Sequence, residues 1–241
     1  MSYRTNDVEV VATQLFPEAE ALKDLVALLS ESERDRASRF VFDRDRRRFI
    51  VGRARLRQLL AERLGVAPQS VELTYGACGK PALANSPRLD LRFNMSHCDD
   101  LAVYAFSHGT DVGIDVEAIR FLPDADRIAA LFFSRRENET YGALAPHDKP
   151  LGFFNCWTRK EAFIKALGHG LGFPLDSFDV SLAPDEPPMI LRVGTTPGEE
   201  CDWRMASFSP ALGYVAAVVT ESIDATVAIE IGNFPIDPSL E

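Results

Sequence analysis

Val112-Gly113-Ile114-Asp115-Val116-Glu117 alternates apolar and polar residues. On a strand, Val112, Ile114 and Val116 share one face, and Asp115 and Glu117 share the other. The two carboxylate-bearing Cα atoms then lie about 6–7 Å apart, two strand rises. That spacing suits a hard divalent cation, Mg²⁺ in particular. Mg²⁺ takes one or two carboxylates and completes its shell with waters and substrate phosphates. The same pattern also describes a half-buried strand with a solvated polar face. Downstream, Trp157, Glu161 and Lys165 are spaced by four and share one face of a helix. Glu161 and Lys165 can form an ordinary helix pair worth about 0.2–0.5 kcal/mol. Phe163, Ala166 and Leu167 lie on the other face and can pack into a core. A carboxylate and an ammonium on a helix anchored in this way are held for acid–base or metal–phosphate work.

Other residues suit a phosphate-bearing ligand. Asn94-Met95-Ser96-His97 ends a strand at a turn. Ser96 and His97 are neighbours and point to opposite faces, so they form no nucleophile–base pair by adjacency. No G-x-S-x-G elbow occurs, which disfavours a serine hydrolase. The motif is either a plain turn or a pocket edge offering a hydroxyl and an imidazole to a phosphate. Gly79-Lys80-Pro81 puts a cation on a tight loop between strands, and no P-loop pattern accompanies it. Arg34, Arg36, Arg39 and the run Arg44-Asp45-Arg46-Arg47-Arg48 make the first half locally basic. This is a solvated helix surface or the grip for a multiphosphate ligand, to which guanidinium forks are well shaped.

The elements that must position these residues read as a duplicated half. Strand-like Asp7–Ala12 recurs as Asp111–Val116, and the capping box Ser30/Glu33 recurs as Ser134/Glu137, each 104 positions on. A long helix follows each box, from about Arg46 to Leu64 before Gly65 and from about Phe154 to Leu167 before Gly168. Hairpins follow at Leu91–Ser96 with Leu101–Phe106, and at Trp203–Phe208 with Tyr214–Val219. Leu22, Leu25, Val26 and Leu29 mark an amphipathic helix. The chain is expected to be α+β, a pseudo-dimer of halves spanning 1–109 and 110–241.

Composition narrows the classes. The chain has 241 residues, 46% apolar and 26% charged, which is ordinary globular composition. No apolar run approaches a membrane span, and the first residues lack a signal-peptide pattern, so a cytoplasmic location is expected. The net charge of −10 disfavours general nucleic-acid binding. The cysteines, Cys78, Cys98, Cys156 and Cys201, contain no C-x-x-C pair and are expected to be reduced. Four histidines, His97, His108, His147 and His169, are too few for a His-rich metal centre.

Taken together and in order, Gly79-Lys80-Pro81, Phe93–His97, Gly113–Glu117 and Trp157–Lys165 resemble the 4′-phosphopantetheinyl transferases of the Sfp type. The resemblance extends from about Glu31 to about Val180. It implies a pseudo-dimer of two α+β halves and a Mg²⁺-dependent transfer. Coenzyme A gives its phosphopantetheine arm to a serine of an apo acyl or peptidyl carrier protein, and 3′,5′-ADP leaves. By resemblance, Asp115, Glu117 and Glu161 hold Mg²⁺. Arg36, Lys80, Ser96 and His97 hold the nucleotide and its 3′-phosphate, and Lys165 sits near the bond being broken. Glu161 is the candidate base for the serine, directly or through a water on the metal, and by resemblance the segment Ala166–Leu175 lies near the carrier. Membrane and nucleic-acid partners are not implied, secondary metabolism is the implied setting, and a monomer is expected. Two departures, Met95 for a branched aliphatic and Cys98 for a small hydroxyl residue, are expected to touch no charged role. The rival classes are a Mg²⁺-dependent phosphohydrolase acting on coenzyme A or a related nucleotide, and a degenerate member that binds coenzyme A without transfer.

Overall fold

The computed structural model describes residues 7–16, 21–76, 79–84, 90–168, 172–193, 203–222 and 224–231. The first half runs β1 (Val8–Gln14), α1 (Ala21–Leu28), α2 (Glu31–Ser38), α3 (Asp43–Leu64), β2 (Leu73–Tyr75), β3 (Pro81–Leu83), β4 (Leu91–Cys98) and β5 (Leu101–His108). The second repeats that order as β6 (Val112–Ala118), α4 (Ala125–Phe132), α5 (Arg135–Ala143), α6 (Lys149–Leu167), β7 (Phe178–Val180), β8 (Ile190–Val193), β9 (Arg204–Phe208) and β10 (Tyr214–Thr220). A last strand, β11 (Val227–Ile231), follows. The sheets also correspond: β1-β5-β4 in one half and β6-β10-β9 in the other. β11 breaks the symmetry by pairing in parallel with β1. Residues 227–231 thus sit in the first half's sheet, although a boundary at 109/110 assigns them to the second. Among the described residues, no helix is long and apolar enough to cross a membrane.

Strand alternation places the core. Val8, Val10, Leu101, Val103 and Ala105 of the first sheet meet Val112, Ile114, Val116, Ala216 and Val218 of the second in one buried cluster. The sheets are therefore stacked face to face. Their outer faces are covered by the long helices. Val51, Leu56 and Leu60 of α3 pack on Val11, Tyr104 and Phe106. Phe163 and Ala166 of α6 belong to the same buried cluster as Val215, Ala217 and Val219.

Both capping boxes form, and each does a second job. Glu33 accepts from the Ser30 N–H and also from Arg57 Nε of α3 at 2.6 Å. Arg57 donates further to the carbonyls of Pro68 and Val71, in the loop after α3. In the second half, Glu137 accepts from the Ser134 N–H and pairs with Lys160 Nζ of α6 at 2.8 Å. Lys160 donates to the carbonyls of Leu175 and Phe178, after α6. In each half, then, a buried cation ties the long helix to the box and to the segment that follows. Pairing is what makes such buried charges tolerable; in the first half it is incomplete, since Glu33 Oε1 has no hydrogen-bond partner and lies 3.6 Å from Arg53 Nε. Gly65 and Gly168 close the two long helices at φ 66° and 73°, the left-handed C-cap expected of glycine.

Candidate active site

The site lies where β6 meets α6 and β4. Gly113 allows the approach, because a Cβ there would lie 2.0 Å from the Ala162 carbonyl oxygen and 2.3 Å from the Ala166 nitrogen of α6. Only glycine fits, and the strand residues on that face come under the helix. Asp115 and Glu117 do lie opposite Val112, Ile114 and Val116, as alternation requires. The polar face is covered, however, and Asp115 is buried.

One edge of β6 pairs with β10. Along the other edge, side chains do the work of a neighbouring strand. Lys80 Nζ donates to the carbonyls of Val112 at 3.4 Å and of Lys165 at 2.5 Å. Asn94 Oδ1 accepts from the Ile114 N–H at 2.9 Å. Lys165 Nζ donates to the Ile114 carbonyl at 3.3 Å, and Cys98 Sγ accepts from the Ala118 N–H at 3.3 Å. Asn94, Ser96 and Cys98 share one face of β4, so the first half supplies three consecutive members of this edge or its site.

Asp115 is the centre. Its Oδ1 accepts from Ser96 Oγ at 2.7 Å and from Lys165 Nζ at 2.6 Å. Its Oδ2 is buried without a hydrogen-bond partner. Lys165 also reaches Ser96 Oγ at 3.2 Å. Among the described residues it makes no ion pair with Glu161, so the plain helix pair is not what these residues form. Glu161 and Glu117 are both half-buried. Burial pushes the Glu161 carboxyl above the usual carboxylate range; the charges of Asp115 and Glu117 add to this and Lys165 opposes it. Burial and then the Asp115 charge raise Glu117. Its Oε2 lies 3.5 Å from Arg120 Nη1.

The expected phosphate-binding residues divide. His97 is exposed on the rim, and its pKa is lowered by the surrounding protein bulk and by the charges of Lys165 and Arg48. Arg36 is exposed at the end of α2, with its guanidinium 5.2 Å from the Phe49 ring centre. Lys80 is turned inward: its ammonium is engaged by two carbonyls, and burial lowers its pKa. Much of the basic run is occupied too. Arg46 and Arg47 pair with Asp43, and Arg48 with Asp100 at 2.7 Å. Of the segment Ala166–Leu175, residues 169–171 lie outside the described residues.

One expectation is corrected. Cys98 does touch a charged group, since its Sγ lies 3.5 Å from Glu117 Oε2. Period-two alternation from Ser96 carries the signal for this contact. Asn94 and Gly113 also support the site, through contacts with β6 and α6 that residue spacing does not reveal.

Among the described residues, no three acidic, His or Cys side chains converge into a ready metal cage. The residues nevertheless fit a hard cation. A buried carboxylate oxygen lacks a partner, and two neighbouring carboxyls are raised by burial and by negative charge. Mg²⁺ needs few protein oxygens when phosphates and waters supply the rest.

Residues 111–219 match the 4′-phosphopantetheinyl transferase superfamily, and residues 14–109 match the N-terminal region of a 4′-phosphopantetheinyl transferase. The chain is 39% identical to the 4′-phosphopantetheinyl transferase HetI of Nostoc sp. over 84% of this chain and 82% of the relative. It is 31% identical to the 4′-phosphopantetheinyl transferase Sfp of Bacillus subtilis over 66% of this chain and 69% of that one. The human L-aminoadipate-semialdehyde dehydrogenase-phosphopantetheinyl transferase is 35% identical over 66% of this chain and 54% of its own length. With a strand-borne carboxylate pair under a helix-borne Glu161 and Lys165, and a relative of this identity and span, the chain belongs to the 4′-phosphopantetheinyl transferase superfamily of enzymes.

Proposed function

We propose that this enzyme transfers the 4′-phosphopantetheine arm of coenzyme A to a serine of an apo acyl or peptidyl carrier protein. Mg²⁺ is the metal, and 3′,5′-ADP is the second product. Asp115 carries this reading: one oxygen is held by Ser96 and Lys165, and the other is buried and unpartnered. Asp115, Glu117 and Glu161 would hold Mg²⁺. When bound, the ion supplies charge neutralisation on the pyrophosphate and on the departing nucleotide.

The chain's own residues do the rest. The serine oxygen forms a bond to the phosphorus that bears pantetheine, and the bond from that phosphorus to the nucleotide's phosphate oxygen breaks. Glu161 accepts the hydroxyl proton, its carboxylate carried on the rigid helix α6. Lys165 offers its ammonium to the oxygen that leaves. Ser96 holds the Asp115 carboxylate, and Lys80 holds the end of α6 that carries Lys165. His97 and Arg36, exposed on the first half, serve the nucleotide and its 3′-phosphate. Elements of both halves complete the site within one chain, which fits a monomer.

The test is to incubate the protein with coenzyme A, Mg²⁺ and an apo carrier, and to weigh the carrier. A gain of one phosphopantetheine mass with release of 3′,5′-ADP is expected. Phosphopantetheine or phosphate appearing without a carrier would instead mark a phosphohydrolase. Binding without either product would mark a degenerate member.

A further inference from the structure

Cys98 is held from two sides. Its sulfur accepts the Ala118 N–H at 3.3 Å, which fixes it against the open edge of β6. Its S–H donates to Glu117 Oε2 at 3.5 Å, with Asp99 Oδ2 a more distant acceptor at 4.0 Å. Arg120 approaches the same Glu117 oxygen at 3.5 Å from a half-exposed position. Both neighbours thus engage Oε2. On the same strand face, two residues further along β6, the buried Asp115 Oδ2 lacks a partner. A thiol pinned to backbone and bonded to one carboxylate oxygen fixes the carboxylate's rotation and leaves the other oxygen for a cation. Groups in this position behind a metal ligand alter metal affinity by about 10–100-fold when removed.

We propose that Cys98 is a positioning residue for Glu117 and that its thiol hydrogen bond sets the divalent-cation affinity of the site. The proposal rests on the reading of Asp115, Glu117 and Glu161 as cation ligands. It makes the Cys98 side chain a determinant of metal demand, reached through the first half of the chain, while Glu117 belongs to the second.

The test compares Cys98→Val, which is slightly larger and loses both the donor to Glu117 and the acceptor for the Ala118 N–H, with Cys98→Ser, which keeps both. Mn²⁺ binding is followed by electron paramagnetic resonance in the absence of coenzyme A, and the half-saturating Mg²⁺ concentration is read from carrier modification. For Cys98→Val, the Mn²⁺ Kd is expected to rise at least about 10-fold. The half-saturating Mg²⁺ should move the same way, and kcat at saturating Mg²⁺ should stay near wild type. Cys98→Ser should bind Mn²⁺ nearly as the wild type does. Cys98→Ala is the second donor-less variant and carries the same expectation should the valine protein not fold. Unchanged Mn²⁺ binding in the donor-less variants overturns the proposal. So does a loss that follows side-chain volume, with serine as poor as alanine, or a fall in kcat alone. Glu117→Gln separates the two levels. If it leaves Mn²⁺ binding intact, the cation reading fails and takes the proposal with it. If it weakens Mn²⁺ while Cys98→Val does not, only the role of Cys98 fails.

Discussion

Lys165 Nζ lies 2.6 Å from Asp115 Oδ1, although Glu161 stands four residues before Lys165 on its own helix. The ammonium has chosen the strand over its helix neighbour. The choice follows from the close packing of α6 on β6 at Gly113, which brings the Lys165 side chain over the β6 edge. One carboxylate oxygen is thereby neutralised, and the remaining charge of Asp115, Glu117 and Glu161 is met from the rim by Arg120, 3.5 Å from Glu117 Oε2.

Two substitutions in this pair should act in opposite directions on metal binding. Asp115→Ala removes a proposed cation ligand and should abolish transfer at limiting Mg²⁺. Lys165→Met removes a positive charge that competes for Asp115, so Mn²⁺ should bind at least as tightly as in wild type, while transfer falls because the leaving oxygen loses its donor. Metal titration of both variants, alongside turnover, checks the pair. Weaker Mn²⁺ binding in Lys165→Met would show that the ammonium organises the carboxylates.

Gly113→Ala tests the packing itself. The added methyl would sit 2.0 Å from the Ala162 oxygen, and helix backbone has no rotamer by which to give way. Overpacking costs about 1–3 kcal/mol, and the upper end is expected where backbone must move. For a chain of this size that is a fall of roughly 6–12 °C in Tm. Transfer should fall further than stability explains, because α6 carries Glu161 and Lys165 away from Asp115. A variant with wild-type Tm and turnover would remove Gly113 from the account.

Much of this arrangement was legible in the sequence. Both capping boxes, both glycine caps and both hairpins form where their residues place them, because each is set by local chemistry. Asp115 and Glu117 fall on one face because period two is a property of the strand. What lay hidden depends on contacts distant in sequence. The parallel pairing of β11 with β1 joins the two ends of the described chain. The inward turn of Lys80 depends on carbonyls of Val112 and Lys165, and composition carries no signal for a carbonyl left open at a strand edge or helix end. Helix spacing offers Lys165 only Glu161 as a partner, and the packing at Gly113 is what brings Asp115 to it.

His97 and Lys80 should separate by ligand. A contact to the 3′-phosphate is lost only when that phosphate is present, and a charge-assisted bond is worth about 1.5–3 kcal/mol. His97→Ala is expected to weaken coenzyme A by about 10-fold or more while leaving dephospho-coenzyme A nearly unchanged. Lys80→Met leaves two carbonyls without their donor, so it should lower Tm and weaken both ligands alike. Calorimetric titration with the two nucleotides decides. A selective loss of coenzyme A binding in Lys80→Met would mean that its ammonium leaves the carbonyls for the ligand's phosphate.

Glu161→Gln keeps size and helix propensity while removing charge and basicity. If Glu161 takes the serine proton and binds the cation, transfer should fall at least about 100-fold, the scale of a positioned acid–base group. Coenzyme A should still bind through His97 and Arg36. Stability gives an independent reading. Burial raises the Glu161 pKa, with Asp115 and Glu117 adding to the shift against Lys165. A carboxyl raised in the fold is no burden below its unfolded value, where both states are protonated. It becomes a burden as pH rises through the folded value, because the fold then carries a charge it disfavours. In metal-free protein, glutamine should therefore raise Tm at pH 7 and leave it unchanged near pH 3.5. Added Mg²⁺ should narrow the pH 7 difference, since the cation relieves the charge only in wild type. Thermal melts at the two pH values, with and without Mg²⁺, measure this directly. A Glu161→Gln protein that melts below wild type at pH 7 without metal would show that the carboxylate is satisfied by the protein alone, leaving Asp115 and Glu117 as the whole metal site.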